Sequence, residues 1–236
     1  MRISVCIATF NGEQYLKKQL ASILTQLSTE DEIIISDDNS TDRTLEIVRE
    51  FKDKRIKIML NDKKGYVSNF ENALNHAKGE YIFLSDQDDI WFQNKVEVCL
   101  ENLKIYDLVV SDSVLIDSKD KIISNSFYID RRAFKSRIGN LVKFSFLGCC
   151  LAFNSKILTK ALPFPKNHKF CRHDNWLFLV AAFYFNYHVL DEQLIYYRRH
   201  ANNVSSGALN ANTSLGFKIK YRFYLIYSLF KRLRKS

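Results

Sequence analysis

Buried-strand and amphipathic-helix patterns alternate four times within about the first hundred residues, and few folds accept that order. Residues 3–10 (ISVCIATF) are almost wholly apolar, as a central parallel strand covered on both faces must be. Asn11-Gly12 breaks the run. Residues 13–27 follow, with Tyr15, Leu16, Leu20, Ile23, Leu24 and Leu27 at helical spacing. Residues 32–36 (EIIIS) predict a second buried strand, after which Ser40 or Thr41 caps a helix carrying Leu45, Ile47, Val48 and Phe51. Residues 55–60 predict a third strand. Residues 67–77 predict a helix with Phe70, Ala73, Leu74 and Ala77 on one face, stopped by Gly79. Residues 81–84 predict a fourth strand, residues 93–106 a helix and residues 108–110 a fifth strand. The order specifies an α/β fold whose parallel sheet has helices on both faces. Such sheets bind ligands beyond the carboxyl ends of their strands.

Two acidic clusters fall at those ends. Asp37-Asp38 closes the second strand. Asp86, Asp88 and Asp89 close the fourth, within EYIFLSDQDDIW at residues 80–91, with no Lys or Arg between them. Carboxylates this close repel unless they stay in water or share a cation. A hard divalent ion such as Mg²⁺ or Mn²⁺ suits them and would also hold a substrate's phosphates. On local sequence alone, an acidic surface turn capping the next helix is the alternative.

The second half is less regular. Residues 114–127 suggest a hairpin around Ser118-Lys119-Asp120, and residues 147–153 (LGCCLAF) a buried strand. Residues 172–185 open polar and become an apolar helix, and residues 188–190 and 194–198 read as two late strands. The net charge of +9 is unevenly placed. Residues 216–236 hold seven cations and no acid, which leaves 28 basic against 26 acidic residues, or +2, in residues 1–215. A near-neutral body argues against nucleic acid as the partner. Five cysteines without CxxC or Cys/His metal spacing read as reduced thiols of a cytosolic protein. The first strand starts at once, so no leader is expected, and no run is apolar enough to span a bilayer. There is no P-loop and no GxGxxG.

At this point the blocks VCIATFNG, DDNSTD (residues 37–42) and SDQDDIW (residues 85–91) resemble the signatures of family 2 glycosyltransferases. HDNW (residues 173–176) and YRRHANNVS (residues 197–205) resemble its bacterial polysaccharide and lipopolysaccharide members, among them rhamnosyl-, galactosyl- and glucosyltransferases. The resemblance covers about residues 1–206. It implies a GT-A fold, a nucleotide-sugar donor, a divalent metal and inversion at the anomeric carbon.

Residue by residue, the resemblance implies that Asp38 reads the base, because a carboxylate accepts the imide N–H of uracil or thymine that cytosine lacks. Backbone at Ala8 to Phe10 lines the same pocket. Asp88 is the expected metal ligand, with Asp86 on the ribose or behind the metal and Asp89 as a further ligand. Asp174 is the expected base that takes the acceptor's proton. His173 orients it or meets the acceptor, and Trp176 either stacks on a sugar or belongs to the core. Arg198 and His200 are expected to hold the pyrophosphate. Gly148-Cys149-Cys150 resembles a glycine–cysteine block near the donor sugar or acceptor.

The expected organisation is a GT-A domain at residues 1–206, with a nucleotide-sugar half at 1–111 and an acceptor half at 112–206. A basic amphipathic tail follows at 207–236. Its aromatics and cations suit an anionic membrane surface, where a lipid-linked glycan acceptor would lie; docking on the body or on another subunit is the alternative. The function expected is sugar transfer from a UDP or dTDP donor, with Mg²⁺ or Mn²⁺, at the inner face of the cell membrane. A nucleotidyltransferase and a non-catalytic nucleotide-sugar scaffold are the competing readings.

Overall fold

The structure, a computed structural model, describes residues 2–200 and 214–233. The first half runs β1 (Ile3–Thr9), α1 (Leu16–Leu24), β2 (Glu32–Asp37), α2 (Thr44–Glu50), β3 (Ile56–Leu60), α3 (Tyr66–His76), β4 (Tyr81–Asp86), β5 (Ile90–Trp91) and α4 (Lys95–Leu103). The second half runs β6 (Leu108–Ile116), β7 (Ile122–Ser124), α5 (Phe127–Arg131), α6 (Arg137–Val142), a 3-10 turn (Gly148–Cys150), β8 (Leu151–Asn154), α7 (Ile157–Ala161), α8 (His173–Tyr184), β9 (Tyr187–Arg198) and α9 (Leu215–Leu233). One nine-stranded sheet joins both halves, in the order β3-β2-β1-β4-β8-β6-β9-β5, with β7 on the side of β6. The expected division near residue 111 therefore falls inside β6.

From β3 to β4 the sheet is parallel, as the alternation requires. Every residue of β2 is buried, and so is β1 except Ala8, because helices cover both faces. Beyond β4 the sheet turns mixed: β8 is antiparallel to both β4 and β6, and β6 runs parallel to β9.

Several local expectations are corrected. Ser40 and Thr41 do not cap α2. The Ser40 hydroxyl is spent on Asp37 and the Thr41 amide on Asn11, so Asp42 takes the Thr44 amide instead, at 2.9 Å. The two late strands are one 12-residue strand, since exposed Asp191 and Glu192 lie on it without breaking it. Residues 147–153 are not all strand: the first part tightens into the 3-10 turn. The hairpin exists as β6–β7, but Phe127 already opens α5, whose Ser126 hydroxyl accepts the Ile129 amide at 3.1 Å.

The basic tail is helical over α9, and this helix lies on the body. Leu225, Ser228, Leu229 and Arg232 are buried, with the Arg232 guanidinium 5.6 Å from the Trp176 ring centre. Its opposite side exposes Ile219, Phe223, Tyr227 and Phe230. No helix among the described residues is long and apolar enough to cross a membrane. Residues 201–213 and 234–236, which hold the end of the YRRHANNVS block and parts of the tail, lie outside the described residues.

Candidate active site at the carboxyl rim of the sheet

Strand register assembles the site. Thr9 pairs with Asp37 and Ala8 with Asp86, so β2, β1 and β4 end level and both acidic clusters stand on one rim. The two aspartates at the end of β2 have different duties. Asp37 is buried, and its carboxylate accepts the Thr9 hydroxyl at 2.7 Å and the Ser40 hydroxyl at 2.6 Å. Asp38 faces the other way, accepting the Asn61 amide group and the Gly65 N–H, each at 2.9 Å. Both oxygens keep lone-pair capacity for a ligand donor. Beside it Phe10 is 53% exposed.

Gln87, the residue between Asp86 and Asp88, links the two loops. It accepts the Phe10 N–H at 2.9 Å and donates to the Phe10 carbonyl at 3.0 Å. A side chain at Gly12 would meet the same Gln87 carbonyl oxygen at 2.4 Å, which explains the glycine.

The acidic loop turns its carboxylates to different partners. Asp88 Oδ2 lies 2.8 Å from His200 Nε2. Asp89 is fully buried; its Oδ1 accepts the Arg198 backbone N–H at 3.0 Å, and its Oδ2 makes no hydrogen bond among the described residues. Asp86, Asp89 and the Cys149 sulfur bring ligand atoms within 4.8 Å of one another. Burial, with the charges of Asp88 and Asp174, pushes Asp86 up to about 7. Burial, then Asp88 and Asp86, also holds Asp89 well above the usual carboxylate range. A carboxylate pair this uncomfortable, with an orphaned oxygen, is what a cation would relieve. The donor set fits a hard divalent ion through its oxygens. Cys149 does not add a thiolate, because the neighbouring Cys150 thiol and burial push it up and keep it protonated. All five cysteines are free and buried.

Arg198 departs from its expected role. It is 1% exposed, and its guanidinium donates to the Asp88 carbonyl at 2.7 Å and the Asp117 carbonyl at 2.9 Å, pairs with Asp120 at 2.5 Å, and stacks 4.5 Å from the Tyr15 ring centre. It braces the acidic loop from beneath instead of opening onto a pyrophosphate. Tyr15 also stands 5.1 Å from the His200 ring, so one aromatic residue seats both members of the basic motif.

The 3-10 turn brings the HDNW block to this loop. A side chain on Gly148 would meet His173 Nε2 at 2.6 Å and Asp174 Cβ at 3.3 Å, while the next residue, Cys149, touches the Asp86–Asp89 pair. Asp174 is partly exposed in the first turn of α8, and its Oδ1 accepts the Asn175 N–H at 2.7 Å. It therefore does not cap the helix from outside. Trp176 is a core residue: it is fully buried with its N–H on the Ala161 carbonyl at 2.8 Å, so it has no face to offer a sugar.

His173 is buried, stacked 4.0 Å from Phe70 and edge-on to Tyr66, with neither ring nitrogen hydrogen-bonded among the described residues. Burial pushes it down to about 4. Between its ordinary value of about 6.5 and 4, the unfolded chain binds this proton and the folded chain does not, so its contribution to stability is lost as pH falls. Asp86 acts oppositely, since its folded form holds a proton up to about pH 7. The two slopes offset in the parent protein. His173→Phe removes one of them. The variant should therefore gain about 3 kcal/mol relative to the parent between pH 6.5 and 4 in urea titrations. A constant difference across that range would refute the buried neutral histidine.

The rim thus unites Ala8, Phe10, Asp38, Asp86, Asp88, Asp89, His173, Asp174 and His200, with Arg198 behind it and Trp176 outside it. Sequence reasoning missed Gln87, Tyr15 and Asn175. Each acts through a partner far along the chain, and only the glutamine carries a trace in sequence, as the spacer inside an acidic triplet.

Comparison with known proteins identifies the family and the fold. The pattern for glycosyl transferase family 2 matches residues 4–162, stopping short of α8. The Escherichia coli UDP-Glc:alpha-D-GlcNAc-diphosphoundecaprenol beta-1,3-glucosyltransferase WfgD is 29% identical over 71% of this chain, and the chain spans 65% of that relative's length. The Shigella flexneri dTDP-rhamnosyl transferase RfbG is 28% identical over 92% of this chain and 77% of its own. Residues 1–349 of S. aureus TarS, solved with UDP-GlcNAc, superpose with a TM-score of 0.69 at 20% identity, covering 98% of this chain and 73% of that one. A family pattern spanning both acidic clusters, on this sheet order and with this rim, places the chain in glycosyl transferase family 2, with the GT-A fold.

Proposed function

We propose that the protein is an inverting, metal-dependent glycosyltransferase. It would move rhamnose, galactose or glucose from a UDP or dTDP donor to a hydroxyl of a lipid-linked cell-surface glycan. The observation that carries the reading is the convergence at Gly148-Cys149. On one side the Cys149 sulfur lies within 4.8 Å of ligand oxygens of Asp86 and Asp89, and on the other Gly148 packs so closely on His173 and Asp174 that a Cβ there would meet both. A phosphate-side group of carboxylates and a lone, accessible carboxylate across from it are what a displacement at a sugar carbon needs.

In this reading Phe10 and Asp38 take the base, with Asp38 accepting the imide N–H. Asp86, Asp88 and Asp89, with His200, would hold Mg²⁺ or Mn²⁺, which when bound offsets the charge of the leaving diphosphate. Asp174 accepts the proton of the acceptor hydroxyl. The new C–O bond forms on the face opposite the breaking C–O–phosphate bond, and the diphosphate leaves with the electron pair. Arg198 keeps the acidic loop in place. WfgD's named substrate carries a diphosphoundecaprenol and RfbG is named for dTDP-rhamnose, which supports a lipid-linked acceptor and leaves both bases in play. The outward apolar face of α9, in a stretch with seven cations and no acid, suits an anionic lipid surface at the cytoplasmic face, where such an acceptor would sit.

A thermal-shift screen tests donor and metal together. UDP or dTDP with Mn²⁺ should raise the melting temperature by several degrees, at about a hundredfold excess over Kd, and more than either component alone. Additive or absent shifts for every nucleotide would remove the metal-bridged donor site.

A further inference from the structure

We infer that Tyr221, on the C-terminal helix, is a positioning residue for Asp174, acting through Asn175; this rests on the reading of Asp174 as the base. The helix that the charge pattern assigns to a lipid surface has an inner side with separate work. The Tyr221 hydroxyl touches the side-chain amide of Asn175. Asn175 is 1% exposed, and its own backbone N–H donates to Asp174 Oδ1 at 2.7 Å. The path from α9 to the carboxylate is therefore two contacts long. Burial of the Tyr221 phenol, together with the nearby charge of Asp174, pushes its acidity down, so it remains a neutral hydroxyl. Phe217 stacks on Tyr221 one helical turn before it, and Phe170 packs on both Phe217 and Tyr224. That aromatic group fixes where the hydroxyl stands.

The helix also anchors independently of this contact. The Tyr224 hydroxyl accepts the Asn167 N–H at 3.0 Å, Arg232 donates to the Leu162 carbonyl at 3.3 Å, and Leu225 and Leu229 are buried. Losing one hydroxyl at position 221 should leave α9 seated while freeing the Asn175 side chain. A loosened Asn175 side chain loosens the backbone N–H of the same residue, and a carboxylate whose orienting N–H shifts is a poorer base, because proton transfer requires the acceptor oxygen within hydrogen-bond reach of the substrate hydroxyl.

The matched pair Tyr221→Phe and Tyr224→Phe tests this in the full chain. Each keeps its ring and loses one hydroxyl from the same helix. Hydrogen exchange at the first turn of α8 is the readout that needs no substrate. Tyr221→Phe should speed exchange of the Asn175 amide at least fivefold, and Tyr224→Phe should leave it unchanged. Turnover is read with Mn²⁺, UDP-glucose or dTDP-rhamnose, and a GlcNAc-diphospho-polyprenol acceptor. Tyr221→Phe should lower kcat about tenfold with donor KM unchanged, and Tyr224→Phe should do neither. Unchanged exchange in Tyr221→Phe overturns the link whatever the turnover. Faster exchange with parental kcat, while Asp174→Asn is inactive, overturns its catalytic consequence. Full activity in Asp174→Asn instead sinks the base assignment, and the exchange data still judge the contact.

Discussion

Asp174→Asn should remove transfer by about 10²–10⁴-fold and leave the protein folded. The amide is nearly the size of the carboxylate, and its oxygen can still accept the Asn175 N–H that now reaches Oδ1. Nothing buried loses a partner, because Asp174 is partly exposed. What disappears is the capacity to take a proton. Donor binding should persist, since Asp38, Phe10 and the acidic loop are untouched, so the nucleotide-dependent thermal shift stays while turnover goes. That separation is the diagnostic: initial rates measured beside melting curves. A variant within threefold of the parent rate would mean that another group deprotonates the acceptor. A variant that also loses its nucleotide shift would mean that Asp174 belongs to the donor site.

Asp88→Ala should have the complementary profile, with turnover down by at least about 10³-fold and the Mn²⁺-dependent part of the nucleotide shift abolished. Asp88 is buried, and its carboxylate faces His200, so in the proposed reading removal takes away an oxygen ligand and the contact that orients the imidazole. The fold should survive, because the loop's braces from Arg198 use the Asp88 carbonyl and the Asp89 carboxylate, not the Asp88 side chain. The pH dependence adds a signed check. With Asp86 pushed up to about 7, a cation must displace a proton below that pH, so the parent's Mn²⁺ shift should be larger at pH 8 than at pH 6. A shift that survives in Asp88→Ala would move metal binding to Asp86 and Asp89 alone. A shift indifferent to pH would mean that no carboxylic proton is released when the ion enters.

The parallel half of the fold was legible because its signals are local. An apolar run such as ISVCIATF needs no partner to be read as a covered strand, and strand ends follow from the first polar residues. The rim was legible for the same reason: both acidic clusters end strands, and register then levels them. Contacts made across the chain were not. Arg198 reads as a phosphate ligand because guanidinium suits phosphate, yet its partners, Tyr15, Asp117 and Asp120, lie far from it in sequence. Trp176 begins an apolar helix whose depth depends on α7 and α9 closing over it. The 3-10 turn at Gly148 is set by the His173 ring against it, which no window around LGCCLAF contains. The tail's composition reveals an apolar, basic helix, and only packing separates its inner face from its outer one.

The reciprocal bonds between Gln87 and the Phe10 backbone bear on how tightly a nucleotide can be held. In the proposed reading they weld the Phe10 loop, on the side of the base, to the acidic loop before any donor arrives. The freedom of both segments is surrendered when the chain folds, so the arriving nucleotide meets a cradle already cut to shape. Little of its contact energy is then consumed in ordering protein, and more remains for the sugar itself.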